Sequence, residues 1–330
     1  MTEPTLDVLA LGNAIVDVLS NADDAFLAEK NLAKGGMMLI DQDQAHALYD
    51  AMGPGHEASG GSAANTAVGI AAMGGKAGFI GRVQNDQLGE VFTHDIRAAG
   101  VQYTPPTGGD GQATARCLIL VTPDAQRTMN TFLGASAEIS ADDVDADFVA
   151  SAGILYLEGY LWDQPNAIAA MQKATEVARG AGRKVAMSLS DSFCVERHRA
   201  DFRALVEGPL DIVFANEDEI KSLYETDDFD TALQAVRGKV QLAALTRSEK
   251  GSVIVAGDTV HTVPAFPPER LVDTTGAGDL FAAGFLYGLT QGHDLETCGR
   301  LGAVAAAEII SHYGARPEAD LNRLAASVTR

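Results

Sequence analysis

The chain has 330 residues, a length that suits two domains or one large α/β domain with an appendage. Its 24 basic and 45 acidic residues give a formal net charge of −21, which argues against a sequence-independent grip on a nucleic-acid polymer and against docking on an anionic membrane. With 46% hydrophobic and 21% charged residues, the composition is that of a globular protein and excludes wholesale disorder.

The spacing of the cysteines and the character of the N-terminal and apolar segments both indicate a cytosolic protein. Cys117, Cys194 and Cys298 lie far apart without a CxxC pair, which favours reduced thiols over disulfides or a zinc site. A signal peptide begins with a positively charged segment, and here no Lys or Arg precedes the first apolar run. The longest uncharged stretch, 58–75, is too rich in Gly and polar residues for a membrane span. We therefore expect a soluble, cytoplasmic protein.

Short runs rich in Val, Ile and Leu alternate with helix-length segments along most of the chain. The runs predict strands at 8–12, 77–81, 116–121, 153–159, 184–190, 211–217, 242–248 and 252–257. Helices are predicted at 63–73, 87–99, 165–181, 217–224 and 302–311. This alternation is typical of βαβ units, so we expect an α/β fold with a mostly parallel sheet covered by helices on both faces.

Two segments interrupt that alternation. Residues 22–56 and 101–133 lack a clear strand–helix unit and resemble hairpin material, so they could pair in space as a small second layer. We infer a discontinuous β lid on one large domain. The large α/β nucleotide-binding domain is predicted to comprise residues 1–16, 61–107 and 133–330. The small lid domain is predicted to comprise residues 17–60 and 108–132.

The sequence VDTTGAGDLFAAGFLYGL, at 272–289, combines a glycine-rich turn with the start of a helix. Gly276 and Gly278 let the backbone approach a ligand closely, and the free N–H groups of a first helical turn favour an anion there. Asp279 alone could equally be a helix cap. Asp273 upstream and the small-residue helix downstream strengthen the functional interpretation.

This string resembles the C-terminal signature of the ribokinase-like (PfkB-type) family of carbohydrate and nucleoside kinases. The resemblance implies a ribokinase-like fold, an anion hole formed by Gly276, Ala277 and Gly278, and Asp279 as the catalytic base. No G-x-x-x-x-G-K-[ST] motif occurs, so the phosphates are not bound by a Walker-type loop.

Two further landmarks of the family concern the phosphate acceptor. GGSAANTAVGIAAMGG resembles the N-terminal signature, which implies that Gly60 and Gly61 form a hinge and that Asn65 contacts substrate. GNAIVD follows the first predicted strand, and the resemblance implies that Asp17, with Asn13, binds substrate hydroxyl groups. A carboxylate can accept bonds from two vicinal hydroxyls. Considered alone, these motifs could be a glycine-rich turn and a solvated aspartate.

Two other motifs concern ATP and Mg²⁺. ANEDE carries Asn216 and Glu219 at the N-x-x-E spacing that organises Mg²⁺ and phosphate through water in the family, although an Asn cap on an acidic helix is the plainer interpretation. TRSEKGS resembles the nucleotide loop T-x-G-x-x-G, with Thr246 and Gly251 as matches and Ser248 where Gly is usual.

The segment GARP, at 314–317, resembles the one that closes the adenine pocket in this family. With Asp273 it also resembles a monovalent-cation site, so K⁺ is an optional second cation.

Several features favour a nucleoside over a free sugar. GNAIVD and the segments 125–136 and 187–199 resemble the branch of the family that phosphorylates adenosine. The segment 125–136 implies that Arg127 reaches the transferred phosphoryl group. Three aromatic residues follow strands that should end at the cleft and could face a flat base, or equally belong to the core: Tyr160, Trp162 and Phe193. Thr275 departs from the Asn usual in eukaryotic adenosine-phosphorylating relatives, which favours a bacterial-style relative.

We therefore expect an ATP- and Mg²⁺-dependent transferase that phosphorylates the 5′-hydroxyl of a nucleoside, with adenosine preferred and purine salvage as its role. A sugar kinase of the same family, acting on ribose, fructose or ketogluconate, is the first alternative. A catalytically silent binding protein is disfavoured because the motif residues are intact, and a dehydrogenase because no G-x-G-x-x-G follows the first strand. The sequence leaves monomer and homodimer open.

Overall fold

The computed structural model describes residues 3–106, 111–124 and 126–329. The strands in these ranges are β1 (Leu6–Leu11), β2 (Ile15–Asn21), β3 (Met37–Leu39), β4 (His56–Gly60), β5 (Ala77–Ile80), β6 (Gln102–Tyr103), β7 (Ala115–Val121), β8 (Arg127–Phe132), β9 (Ala152–Glu158), β10 (Lys184–Ser188), β11 (Ile212–Asn216), β12 (Leu242–Thr246), β13 (Ser252–Ala256) and β14 (Thr259–Val263). The α-helices are α1 (Asp24–Glu29), α2 (Gln42–Ala51), α3 (Ser62–Ala72), α4 (Gln87–Ala98), α5 (Ala146–Ala150), α6 (Pro165–Gly180), α7 (Ser192–Val206), α8 (Glu217–Leu223), α9 (Phe229–Val236), α10 (Ala277–Thr290), α11 (Leu295–Ile309) and α12 (Leu321–Val328).

The large sheet confirms the predicted α/β fold. Its order is β14-β13-β12-β11-β10-β9-β1-β5-β6, and neighbouring strands run parallel from β12 to β6. β13 and β14 extend it as an antiparallel edge. Because parallel strands end at one edge, the residues that follow β1, β9, β11 and β12 face a common cleft.

Helices cover both faces of this sheet, as its apolar strands predict. Successive side chains of β1 alternate between two cores: Val8 and Ala10 belong to the core that includes residues of α3, α10 and α11, whereas Leu9 and Leu11 belong to the core that includes residues of α6 to α9. Within the described residues no helix is both long and apolar enough to cross a membrane. The three cysteines are buried free thiols.

A second, five-stranded sheet has the order β3-β8-β7-β2-β4. Its strands come from 15–60 and 115–132, and β2 pairs in parallel with β7 across that sequence gap. The predicted strand at 116–121 is therefore part of this small sheet and not of the parallel one. That the small sheet acts as a lid, with the predicted boundaries, stays a proposal. Residues 108–110 and 125 of the predicted lid lie outside the described residues.

Local capping explains where two predictions differ from the structure. The segment 22–56 contains α1 and α2 as well as β3, because Asp23 and Asp41 cap the two helices through their carboxylates. The helix predicted at 302–311 begins earlier, at Leu295, where Asp294 accepts a bond from the Thr297 N–H.

Candidate active site

At the turn before α10, the backbone N–H groups of Gly276 and Gly278 have no hydrogen-bond partner among the described residues. Gly276 adopts a left-handed conformation (φ 79°) and precedes the helix without any side-chain cap. Open space surrounds Gly278, because a Cβ built there meets no atom within 4 Å. The Ala277 N–H instead bonds the Thr274 carbonyl (3.2 Å), so its predicted place in the anion hole is not supported in this conformation. The arrangement suits an anion at the N-terminus of α10.

Asp279 lies in the first turn of α10 and faces the start of α3. Its carboxylate accepts hydrogen bonds from Ser62 Oγ (2.6 Å) and Asn65 Nδ2 (2.9 Å). Burial raises the pKa of Asp279, against these two bonds and the charge of Arg316. Asn65 was predicted to contact substrate. Its Nδ2 is committed to Asp279, whereas its Oδ1 has no partner among the described residues.

Asp17 lies beside the two glycines that connect β4 to α3, called the glycine joint below. A Cβ at Gly60 would lie 2.5 Å from Asp17 Oδ2, and Gly61 has a φ of 98° that a side chain would strain. Burial raises the pKa of Asp17 to about 6, although Arg316 and Arg127 oppose the shift. No hydrogen bond to this carboxylate occurs within the described residues, so its oxygens are available to a hydroxyl ligand.

Asn13 is buried and bonded to two other side chains. Its Nδ2 donates to Glu158 Oε1 (2.5 Å), and its Oδ1 accepts from Ser136 Oγ (3.0 Å). Both polar atoms of the amide thus have a protein partner, which leaves one N–H and one lone pair for any other contact. That Asn13 contacts substrate stays a prediction. Glu158 also accepts the Ala63 N–H at the start of α3 (2.9 Å). Asn13 and Glu158 therefore hold α3 against the cleft.

Glu158 was missed in the sequence, although it ends β9 at the edge where cleft residues are expected. It is 1% exposed, and burial raises its pKa to about 7 despite the bonds from Ala63 and Asn13.

This shift predicts a pH-dependent stability. The unfolded chain ionises Glu158 near its ordinary pKa of 4.5, whereas the folded chain keeps the proton up to about 7. The free energy of unfolding therefore falls as pH rises through this window, by about 3 kcal/mol for a shift of this size. In urea titrations at about pH 5 and about pH 8, Glu158→Gln should lose less stability than the wild type. Equal losses would show that Glu158 ionises normally in the folded chain.

Arg127 and Asp273 form a buried ion pair beside the α10 turn. Arg127 Nη1 bonds Asp273 Oδ2 and Thr275 Oγ1 (2.9 Å), while Arg127 Nε has no partner among the described residues. Asp273 also accepts the N–H groups of Thr275 (3.1 Å) and Gly314 (3.2 Å). Burial alone would raise the pKa of Asp273, but the Thr275 bonds and the Arg127 charge leave it lowered. Because Arg127 takes the place of a cation at Asp273, the predicted monovalent-cation site is not supported.

The predicted ATP residues lie together at the ends of β11 and β12. Asn216 and Glu219 form a capping box: Asn216 Oδ1 accepts the Glu219 N–H (2.8 Å), and Glu219 Oε2 accepts the Asn216 N–H (2.9 Å). Burial raises the pKa of Glu219 to about 7. Among the described residues no group of three or more His, Cys, Asp or Glu could hold a metal ion. That Glu219 holds Mg²⁺ through water stays a prediction.

The loop after Thr246 shows why glycine is usual at its third position. Ser248 has a φ of 51°, in the left-handed region that glycine adopts without strain. Gly251 has a φ of 85°, and a Cβ there would lie 2.1 Å from the Val263 carbonyl oxygen. The conformation of this turn therefore depends on Gly251.

The three aromatic residues differ in their surroundings. Trp162 is buried, donates its indole N–H to Asp201 (3.1 Å) and packs edge-on against Phe202, so of its two interpretations the structure favours core packing. Phe193 is 70% exposed. Tyr160 is half-buried; its hydroxyl donates to the Ser190 carbonyl (3.4 Å), and its backbone N–H donates to Ser190 Oγ (3.1 Å).

Arg316, within GARP, is a second residue that sequence reasoning missed. Its guanidinium donates to the Ser59 and Ala64 carbonyls, and its charge acts on both Asp17 and Asp279. Its partners lie at sequence separations of 252 and 257, so the GARP motif marked the segment but could not show which residues Arg316 contacts.

Comparisons with known proteins agree with this geometry. The chain matches the family described as pfkB family carbohydrate kinase over residues 37–321. It is 51% identical to the adenosine kinase of Sinorhizobium meliloti, whose crystal structure superimposes with a TM-score of 0.90 over 98% of this chain and 99% of that one. A probable sugar kinase from Rhizobium etli is 50% identical, with a TM-score of 0.92 over 99% of both chains. The adenosine kinase of Saccharomyces cerevisiae is 29% identical over 94% of this chain and 96% of its own length.

Proposed function

The chain belongs to the pfkB family of carbohydrate kinases, and we propose that it transfers the terminal phosphoryl group of ATP to the 5′-hydroxyl of adenosine. The observation that carries the proposal is the convergence of Asp17, Asp279 and the uncapped first turn of α10, with the two carboxylates near enough for their charges to interact. The similarity to the adenosine kinases of Sinorhizobium meliloti and Saccharomyces cerevisiae favours a nucleoside acceptor.

In the proposed mechanism, Asp279 removes the proton from the 5′-hydroxyl. Ser62 and Asn65 hold its carboxylate in place, and burial makes it a stronger base than an exposed aspartate. Asp17 accepts hydrogen bonds from the ribose hydroxyls, and the open backbone at the glycine joint lets the sugar approach. Positioning of this kind supplies much of the acceleration in phosphoryl transfer.

The phosphoryl group would lie at the N-terminus of α10. The N–H groups of Gly276 and Gly278 and the guanidinium of Arg127 would stabilise charge on its oxygens. Glu219, through water, and Asn216 would hold Mg²⁺, which would supply positive charge beside the phosphates of ATP. The small sheet, acting as a lid, would exclude water and so limit hydrolysis of ATP. Three further points stay predictions: that the enzyme acts in purine salvage, that it is cytoplasmic, and that it is a monomer or a homodimer.

A sugar kinase of the same family is the second candidate. It is supported by the similarity to the probable sugar kinase of Rhizobium etli and by the placement of Trp162 in the core, where its ring packs against Phe202. A free sugar needs hydroxyl acceptors such as Asp17 and no aromatic faces.

The position of transfer can be tested with 5′-deoxyadenosine. This analogue keeps the base and the vicinal hydroxyls but lacks the proposed acceptor, so it should compete with adenosine and yield no phosphorylated product. Phosphorylation of the analogue would show that another hydroxyl accepts the phosphoryl group.

Replacing Asp17 by asparagine is expected to raise KM for adenosine by at least ~10-fold, because an amide offers one acceptor oxygen where the carboxylate offers two charged ones. KM for ATP should stay within ~3-fold, since the proposed nucleotide contacts are elsewhere. Initial rates with each substrate varied separately measure both constants. An unchanged KM for adenosine would contradict the role of Asp17.

A further inference from the structure

Arg316 makes contacts that the proposed chemistry does not use. Its guanidinium donates from Nε to the Ser59 carbonyl (2.8 Å), from Nη1 to the Ala64 carbonyl (3.0 Å) and from Nη2 to Ser59 Oγ (3.1 Å). Ser59 belongs to β4 of the small sheet, and Ala64 to the first turn of α3. The side chain therefore binds the chain on both sides of the glycine joint.

The residues just before Arg316 contact the turn that opens α10. The Gly314 N–H donates to Asp273 Oδ2 (3.2 Å). Ala315 packs directly against Gly276, because a Cβ added to Gly276 would lie 3.0 Å from the Ala315 Cβ. This short segment thus connects the anion-binding turn to the glycine joint by direct contact.

The guanidinium of Arg316 also lies among acidic groups. Burial lowers its pKa to about 10, and the charges of Asp17, Asp279 and Asp95 oppose that shift. Its own charge lowers the pKa values of Asp17 and Asp279 against burial. Charge-assisted bonds are stronger than neutral ones, and the planar fork of arginine reaches acceptors that a single ammonium cannot serve together.

We propose that Arg316 is a positioning residue that couples nucleotide binding at the α10 turn to closure of the small sheet over the substrate site. Phosphate at the turn would fix Gly314 and Ala315, and Arg316 would transmit this restraint to the glycine joint. The inference rests on the proposed kinase function. It does not depend on the acceptor, because a nucleoside kinase and a sugar kinase would use the same turn and joint.

Amide hydrogen exchange of residues 57–66 tests the coupling, with and without a non-hydrolysable ATP analogue and with no acceptor present. In the wild type the analogue should slow exchange in this segment by at least ~10-fold, a typical coupling between two sites. In Arg316→Met, which keeps length but cannot donate, protection should fall below ~2-fold while the Kd of the analogue changes by less than ~3-fold. Arg323→Met, on the exposed side of α12, is the matched control and should keep wild-type protection.

The pH profile supplies a readout that a purely structural role would not move. Loss of the positive charge should raise the pKa of Asp279, so the acid limb of kcat/KM moves to higher pH in Arg316→Met. Arg316→Lys keeps the charge and should leave the limb in place, yet lose protection because one ammonium cannot reach both carbonyls. The lysine variant therefore also serves as the test should the methionine variant fail to fold.

Full protection of the joint in Arg316→Lys, or full protection in Arg316→Met together with an unmoved acid limb, would overturn the coupling. Failure of the proposed function looks different: the wild type would show nucleotide-dependent protection of the joint and phosphorylate neither nucleosides nor sugars.

Discussion

Asp279→Asn is expected to lower kcat by at least ~100-fold, because the variant keeps the shape of the side chain and loses the general base. KM for adenosine and ATP should each change by less than ~3-fold, since neither substrate is proposed to be held mainly by this carboxylate. Steady-state rates of ADP release measure these constants. The unpartnered Oδ1 of Asn65 can turn to accept the new amide, so the substitution should leave the fold intact.

Asp294→Asn is the matched control for that variant. Asp294 begins the neighbouring helix α11 and accepts the Thr297 N–H, and asparagine caps helices about as well as aspartate. Turnover by Asp294→Asn should therefore be close to that of the wild type. Near-wild-type turnover by Asp279→Asn itself would eliminate Asp279 as the base.

Arg127→Ala is expected to lower kcat by about 10³-fold while the Kd of adenosine stays within ~3-fold. The guanidinium lies beside the α10 turn, held by Asp273 and Thr275, where the charge of a transferred phosphoryl group would develop. Single-turnover transfer and equilibrium binding of adenosine separate the two effects. A large loss of adenosine affinity with unchanged kcat would contradict a role in transfer.

Two controls accompany Arg127→Ala. Removing Arg127 leaves Asp273 buried without its cationic partner, so the thermal unfolding of the variant must also be measured. Arg127→Lys keeps the positive charge but loses the planar fork, and it should retain more activity than Arg127→Ala. Lys34→Ala removes an exposed cation of the small-sheet region that pairs with Asp24 and Asp124, and it should leave kcat unchanged.

Local patterns were sufficient to predict most of the architecture. The alternation of apolar runs and helix-length segments predicted the parallel sheet, because strand and helix periods depend on neighbouring residues alone. The plainer interpretation of Asn216 and Glu219 as a helix cap was also available from their spacing, and the structure contains that capping box. The two helices within 22–56 were not predicted, although Asp23 and Asp41 stand at cap positions.

The parts of the site that could not be predicted depend on distant contacts. Asn13 matched a substrate-binding motif, but its amide is used by Glu158 and Ser136, which lie 145 and 123 positions away. The ion pair of Arg127 with Asp273 spans 146 positions. Contacts at such separations follow from the sheet order, and the sheet order is not present in any local sequence pattern.

The identity of the acceptor is the central claim, and a comparison of kcat/KM values tests it most directly. Adenosine, inosine, ribose, fructose and ketogluconate would each be assayed with ATP and Mg²⁺ under one set of conditions. The proposed function predicts that adenosine has the highest kcat/KM and that AMP is the product. A higher kcat/KM for any free sugar than for every nucleoside would contradict it.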